Sequence, residues 1–165
     1  MCATCKPPYA DIVGSIYAAF HHGDIAYILD QLSDDVSWDA DWHDNSAQSV
    51  DVGHMRPRRG PAQVAEFFAL LADWQIKELK VIDIVGAGRQ VAVELRLDAV
   101  LPSGGRVADE QLHLWTLDEQ GQVIRFRTYA DTAKVIAANA GADTVHSQGS
   151  VITGFLLRLR AGAER

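Results

Sequence analysis

The chain has 165 residues, with 15 lysines and arginines against 22 aspartates and glutamates, which gives a formal net charge of −7. Hydrophobic residues make up 48% of the sequence and charged residues 22%. This composition is typical of one globular domain with a sizeable core and excludes a disordered chain. No apolar run approaches the ~20 residues of a membrane helix, and an acidic chain without a basic run attracts neither nucleic acid nor anionic membranes. We therefore expect no nucleic-acid partner and no membrane association.

The first residues lack a basic start followed by an apolar stretch, so no signal peptide is predicted and the expected compartment is the cytoplasm. Cys2 and Cys5 are the only two cysteines. A zinc site needs more cysteine or histidine ligands at suitable spacings, and no such spacing occurs, so no metal site is predicted. Residues 1–8 are predicted to be a disordered tail.

Three helices are predicted in the first half of the chain. Residues 9–22 repeat apolar side chains at steps of three and four, as one face of a helix does. Gly23 ends this helix and Asp24 caps a short second one. Pro61 follows a glycine and opens the third helix, because proline is tolerated in the first helical turn.

The pattern changes to a period of two at Val36, which predicts a strand. The apolar members of the alternation are expected to face the interior and the polar members to form a solvated face. In chain order these are Val36, Trp38, Ala40 and Trp42 against Ser37, Asp39, Asp41 and His43. Residues 43–59 are polar and are predicted to be an irregular loop.

The second half is predicted to be strands 75–86, 90–101, 106–117 and 122–130, a helix at 131–139, and a short strand or helix near 151–157. Helices followed by a curved antiparallel meander make one α+β domain. A sheet curled around helices leaves a conical cavity, and aromatic walls with few polar groups are typical of small-molecule pockets. The expected walls are Trp38, Trp42, Phe67, Phe68 and Trp115, and the alternative is that these side chains simply fill the core.

Five segments in order resemble one family. They are Gly23-Asp24-Ile25, residues 32–38, residues 59–68, residues 117–123 and Arg127-Thr128-Tyr129-Ala130-Asp131. Together they resemble the ketosteroid-isomerase and SnoaL-like polyketide-cyclase group of the nuclear-transport-factor-2-like fold. The resemblance covers residues 9–139 and leaves 140–165 as a C-terminal extension. It implies a cone-shaped, cystatin-like α+β fold, with N-terminal helices packed on a curved antiparallel sheet, and a homodimer.

Ketosteroid isomerases use an aspartate base with a tyrosine and a protonated aspartate as the oxyanion hole. By the resemblance, these three positions fall on Ala40, Ile16 and His113 of this chain. Steroid-isomerase activity is therefore not expected. A shift of one residue would bring Tyr17 or Asp39 into place, and this alternative stays open.

SnoaL-like cyclases are similar in placing a histidine on a late strand and an aspartate after the last one, which implies His113 and Asp131 as catalytic groups. Removing a proton beside a carbonyl needs a base and a donor for the enolate oxygen, and no cofactor. His113 also fits a hydrogen-bonded core histidine. Asp131 also fits a helix cap.

The expected function is a cofactor-free isomerase, cyclase or dehydratase that transfers protons on a mid-sized apolar carbonyl compound. The alternatives are a non-catalytic module that binds a ligand in the same cavity and a homodimerisation module. The residues expected to contact the substrate are Tyr17, Trp38, Trp42, Phe67, Phe68, Trp115 and Tyr129.

Overall fold

A computed structural model describes residues 9–145 of the chain. Five α-helices and six strands follow one another in this part, with one 3-10 turn. In chain order they are α1 (Tyr9–His21), α2 (Ile25–Asp30), β1 (Leu32–Trp38), α3 (Ser46–Ser49), the 3-10 turn (Gly53–Met55), β2 (Arg58–Arg59), α4 (Gly60–Leu71), β3 (Gln75–Ala87), β4 (Gln90–Val100), β5 (Arg106–Leu117), β6 (Val123–Tyr129) and α5 (Thr132–Asn139).

Local chemistry places the helix boundaries. Gly23 takes a φ of 72°, which favours glycine and ends α1. Asp24 then caps α2 by accepting a hydrogen bond from the backbone N–H of Tyr27 at 3.0 Å. Gly60 has a φ of 74°, and Pro61 occupies the first turn of α4. The three N-terminal helices predicted from the sequence are confirmed.

The six strands form one mixed sheet in the order β2-β1-β6-β5-β4-β3. All neighbours are antiparallel except β1 and β6, which run parallel. The expectation of a wholly antiparallel sheet is therefore wrong at this one pair. Its two members are separated in the chain by α4 and the other four strands, so no hairpin sets their relative direction. Two register shifts in the β3–β4 pair bend the sheet, as bulges do.

Two apolar clusters lie between the helices and the concave face of the sheet. The first includes Val13, Ile16, Trp38, Val64, Trp115 and Phe126 and packs under α1, α2 and α4. The second includes Met55, Leu101, Val107, Val135 and Ala138 and packs under the 3-10 turn and α5. The site described below lies in the space between the two clusters.

The predicted alternation beyond Trp38 is wrong. Strand β1 ends at Trp38, and Asp39 adopts a φ of 48°, a left-handed conformation that breaks the period of two. Asp39 is buried rather than solvated. The segment 43–59, predicted to be irregular, contains α3, the 3-10 turn and β2.

The four later strands and the last helix are confirmed within one or two residues of their predicted bounds. The predicted tail 1–8, both cysteines and the predicted element near 151–157 lie outside the described residues. Among residues 9–145, no helix has the length and apolar character needed to cross a bilayer.

At Gly105, the backbone between β4 and β5 lies close to the backbone of α5. Substitutions at this glycine therefore test the packing. A Cβ at this position would overlap the backbone carbonyl of Ala138, so we expect Gly105→Ala to lower the free energy of unfolding by at least ~2 kcal/mol. In helix α1, a Cβ on Gly14 would meet only Ile84 Cδ1 at 3.8 Å. The control Gly14→Ala should therefore raise stability by about 0.5–1 kcal/mol. Urea denaturation of both variants measures this difference, and equal stabilities would contradict the described contact.

Candidate functional site

The cavity that we call the main cavity lies between the two apolar clusters and is partly open to solvent. A side compartment adjoins it under α1 and α4. The wall shared by the two consists of Phe20, Phe67, Leu71, Leu79, His113 and Phe126. Four lining residues of the main cavity have polar side chains capable of orienting a ligand: His54, Gln111, His113 and Thr128. An apolar cavity with a few polar groups has the usual character of a small-molecule site.

A chain of hydrogen bonds connects α1 to the middle of the sheet beside the cavity. Trp115 Nε1–H donates to Tyr17 Oη at 3.2 Å, and Tyr17 Oη lies 2.7 Å from His113 Nδ1. On the far side of the imidazole, His113 Nε2 lies 3.4 Å from Gln111 Oε1. Helical spacing brings Tyr17 inward from α1, and alternation on β5 puts Gln111, His113 and Trp115 on one face.

The partners determine which nitrogen of His113 carries the proton. Burial lowers the pKa of His113 to about 3, so the imidazole is neutral near pH 7. Burial also raises the pKa of Tyr17, which therefore keeps its proton. Because Tyr17 Oη already accepts the Trp115 N–H, we assign its hydroxyl as the donor to Nδ1, and this assignment leaves the ring proton on Nε2, which faces Gln111 Oε1. The contact to Gln111 is long, so this N–H remains available to a group in the cavity.

His54 brings a second imidazole to the main cavity. Its ring packs edge to face on Trp74, with the centroids 4.7 Å apart. Burial and the charge of Arg58 lower the pKa of His54 to about 4, so this imidazole is also neutral near pH 7.

Asp39 lies behind the cavity wall at Thr128. Its carboxylate accepts hydrogen bonds from Thr128 N at 2.7 Å, from Thr128 Oγ1 at 3.1 Å and from Trp42 Nε1 at 3.2 Å. Burial raises the pKa of Asp39 to about 6, although these hydrogen bonds and Arg58 oppose the shift. Asp39 does not itself line the cavity.

A model of the SnoaL-like domain matches residues 13–126. The chain belongs to the SnoaL-like domain family. The matched range contains most of α1, the strands up to the middle of β6 and the whole Trp115–Tyr17–His113 chain. The predicted family and the nuclear-transport-factor-2-like fold are both confirmed.

Three solved structures illustrate the fold. A protein of unknown function from Burkholderia pseudomallei with the NTF2-like fold is 23% identical, with 79% of this chain and 95% of that one covered, at a TM-score of 0.65. TerC co-crystallised with polyporic acid is 23% identical over 81% and 98% of the two chains, at 0.65. An LEH-like epoxide hydrolase from M. tuberculosis is 18% identical over 79% and 87%, at 0.58. These likenesses show a shared fold. No curated protein matches the sequence.

The structure brings five of the seven expected contact residues of this SnoaL-like chain to the cavity. Phe67 lines both compartments, and Tyr17, Trp38, Phe68 and Trp115 line the side compartment. Their contact with a substrate stays a prediction. The one-residue shift left open above stays a prediction; the structure shows that Tyr17, and not Ile16, has the side chain that contacts His113.

Trp42 and Tyr129 line neither compartment, which corrects the prediction for both. The left-handed turn at Asp39 takes Trp42 out of the strand. Its ring packs on Tyr129, with the centroids 4.9 Å apart, and under the Arg127 guanidinium at 4.8 Å. Tyr129 follows Thr128, whose side chain faces the cavity, so alternation turns the tyrosine to the other face of the sheet.

The structure does not bring Asp131 to His113. The Asp131 side chain is exposed and caps α5, with Oδ1 accepting from Ala133 N at 3.1 Å and from Lys134 N at 3.3 Å. It lines neither compartment. The helix-cap alternative is confirmed. The predicted role of Asp131 as a base is corrected, because its carboxylate lies outside both compartments.

His54, Gln111 and Thr128 are the polar cavity groups that sequence reasoning missed. His54 lies in a segment without a regular apolar period, so neither the helical nor the strand period marks its burial. Thr128 is part of the Arg-x-Tyr-x-Asp motif noted above, and its place opposite His113 follows only from the β5–β6 register. Among the described residues, no group of three or more His, Cys, Asp or Glu side chains is placed to hold a metal ion.

We expect His113 to stay neutral, with the proton on Nε2, from pH 8 down to pH 5, because burial opposes the imidazolium. Long-range ¹H–¹⁵N correlation spectra distinguish the two tautomers and the charged ring. Tyr17→Phe removes the donor to Nδ1 and should give a mixture of tautomers. An imidazolium signal for His113 at pH 6 would contradict the assignment.

The raised pKa of Asp39 predicts a stability that depends on pH. The folded state binds this proton more tightly than the unfolded chain, whose carboxyl has an ordinary value of 3.8. The group therefore lowers the free energy of unfolding as the pH rises from about 4 to 6. Asp39→Asn cannot ionise and should be about 1–3 kcal/mol more stable than the natural chain at pH 8 but similar to it at pH 4. Urea denaturation at both pH values measures this, and equal differences at both would sink the prediction.

Proposed function

We propose that this protein is a cofactor-free enzyme that transfers protons on a mid-sized, mostly apolar carbonyl compound held in the main cavity. One observation carries the proposal. The Trp115–Tyr17–His113 chain holds an imidazole at the wall of an apolar cavity, and the tautomer assigned above leaves its Nε2–H for a ligand. Isomerisation, cyclisation and dehydration beside a carbonyl all need such a donor.

The imidazole of His113 is suited to stabilise an enolate by donating a hydrogen bond to its oxygen. A water molecule at the open side of the cavity takes the proton beside the carbonyl, and the electron pair of the broken C–H bond moves negative charge onto the carbonyl oxygen. A fixed N–H donor stabilises that charge most where water is excluded, since its orientation costs nothing during the reaction. Because His113 is neutral, it presents a donor without burying a full charge in the apolar wall.

Similar structures support a ligand-binding role for the cavity. One relative in fold is an epoxide hydrolase, and another was co-crystallised with polyporic acid. Both cover about four fifths of this chain. Small organic molecules are therefore the class of ligand that we propose for the cavity here.

A second candidate function is ligand binding without turnover. The residues that the structure places along the main cavity include no carboxylate, and Asp131 caps a helix elsewhere. The binding module uses the same walls and the same donor but needs no base. The homodimer implied by the resemblance stays a prediction, with the exposed Leu112 and Tyr129 on the face of the sheet away from the cavity.

Hydrogen–deuterium exchange of a ketone tests the two candidates without knowledge of the natural substrate. We expect the purified protein to accelerate exchange of the α-protons of 2-tetralone, an apolar bicyclic ketone, in D₂O at pH 7, as followed by ¹H NMR against a buffer control. His113→Phe keeps a ring of similar shape but removes the donor, so the acceleration should fall about 10²–10³-fold.

His113→Gln and His22→Phe are the matched controls. The glutamine side chain of the first variant retains an N–H donor and should keep part of the acceleration. The exposed His22 at the end of α1 has no contact with the cavity, and its replacement should change nothing. Circular dichroism checks that each variant is folded. Tight binding of 2-tetralone without exchange would instead support the binding module, and exchange that survives His113→Phe would remove His113 from the mechanism.

A further inference from the structure

The turn that carries His54 is built around a buried arginine. Arg58 donates from one guanidinium nitrogen to Gly53 O at 2.8 Å and from another to Arg56 O at 2.8 Å and His54 O at 3.3 Å. The guanidinium also lies 5.5 Å from the ring centroid of Phe67, a wall of both compartments. Arg58 thereby ties the 3-10 turn to α4 and holds His54 at the cavity.

The two ring nitrogens of His54 line the cavity without a protein partner among the described residues. Within residues 9–145, no group hydrogen-bonds to its ring nitrogens, and its packing partner is the face of Trp74. The ring is half-buried and lines the main cavity. Neither ring nitrogen is among the fully buried polar atoms that lack a partner, so both remain within reach of a molecule that enters the cavity. A ligand group in the cavity would supply the missing partner.

The two histidines lie at different ends of the cavity. His113 contacts Tyr17 and Phe126 of the first apolar cluster and also lines the side compartment. His54 packs against Trp74 of the second cluster and lines only the main cavity. Apolar side chains form most of the wall between these ends.

Charge decides which group suits the His54 end. Arg58 disfavours a cation there, and the neutral imidazole of His54 offers one nitrogen that accepts a hydrogen bond. A hydroxyl group satisfies both conditions, since it donates its proton to the ring nitrogen while its oxygen carries partial negative charge in the field of Arg58. Phenols and enols do this best because their hydroxyls are the stronger donors.

We propose that His54 is a second ligand contact, positioned by Arg58, and that the cavity takes a hydroxy-ketone: an apolar, aromatic-sized body with a carbonyl at the His113 end and a hydroxyl at the His54 end. The inference rests on the proposed function, because that function places the carbonyl at His113. It adds a residue that determines specificity and defines the class of substrate.

Three naphthalene probes separate the two contacts. These are 2-acetylnaphthalene, which has the ketone alone, 6-hydroxy-2-acetylnaphthalene, which adds a hydroxyl at the opposite end, and 6-methoxy-2-acetylnaphthalene, in which the added oxygen has no proton to donate. Dissociation constants come from isothermal titration at pH 7. We expect the hydroxyl compound to bind about tenfold more tightly than the methoxy compound.

His54→Phe should abolish this preference and leave the affinity for 2-acetylnaphthalene within about twofold. His54→Asn keeps a hydrogen-bonding side chain and should retain part of the preference, which guards against a folding defect in the first variant. His22→Asn, an exposed change, should leave both unaltered. The ring ¹⁵N shifts of His54 should move with the hydroxyl compound and not with the methoxy compound.

The outcomes distinguish this inference from the proposed function. A hydroxyl preference that survives His54→Phe overturns the inference, and so does equal binding of the hydroxyl and methoxy compounds. Binding of 2-acetylnaphthalene that is insensitive to His113→Phe overturns the placement of the carbonyl, and with it the proposed function, whatever happens at His54. A protein that binds none of the three compounds contradicts both proposals.

Discussion

The hydrogen bond between Tyr17 Oη and His113 Nδ1 is the contact on which the rest of the site depends. It joins α1 to the centre of the sheet across 96 residues of sequence. Burial keeps His113 uncharged, and this hydrogen bond gives the neutral ring one tautomer and one orientation. Without this hydrogen bond, Nδ1 would be an unpaired polar atom in an apolar core, which would lower the stability of the fold. The direction of the ring's N–H donor would also not be fixed.

Burial gives the polar groups of the interior distinct protonation behaviour. The two cavity imidazoles have pKa values lowered to about 3 and about 4, whereas the Asp39 carboxyl has a pKa raised to about 6. All three shifts have burial as their largest cause, because a low-dielectric surrounding disfavours whichever form is charged. The cavity therefore presents neutral donors and acceptors rather than ions. Such a surface suits an uncharged, polar-ended ligand better than a salt.

In the segment between β1 and α4, the left-handed residue Asp39 helps to position one wall of the cavity. The left-handed Asp39 ends the strand, and its carboxylate ties this point to Thr128 on β6. The chain then passes through α3 to the turn held by Arg58. Strain at Asp39 is stabilised by three hydrogen bonds to its side chain, and strain of this kind often accompanies a functional site. The neighbouring arginines have other roles: Arg56 pairs with Asp51 and Arg59 with Asp41 at the surface.

The sequence by itself determined the four helices other than α3, the four long strands and the family, because hydrophobic period, helix caps and turn residues are local properties. It also singled out His113, because the family resemblance implies a histidine on this late strand. Only the tertiary structure decided that Tyr17 reaches it, that Asp131 caps α5 and that Trp42 turns away. These outcomes depend on a backbone break at Asp39 and on strand register between distant segments. His54 was not predicted, because a buried arginine and not a periodic sequence pattern holds it at the cavity.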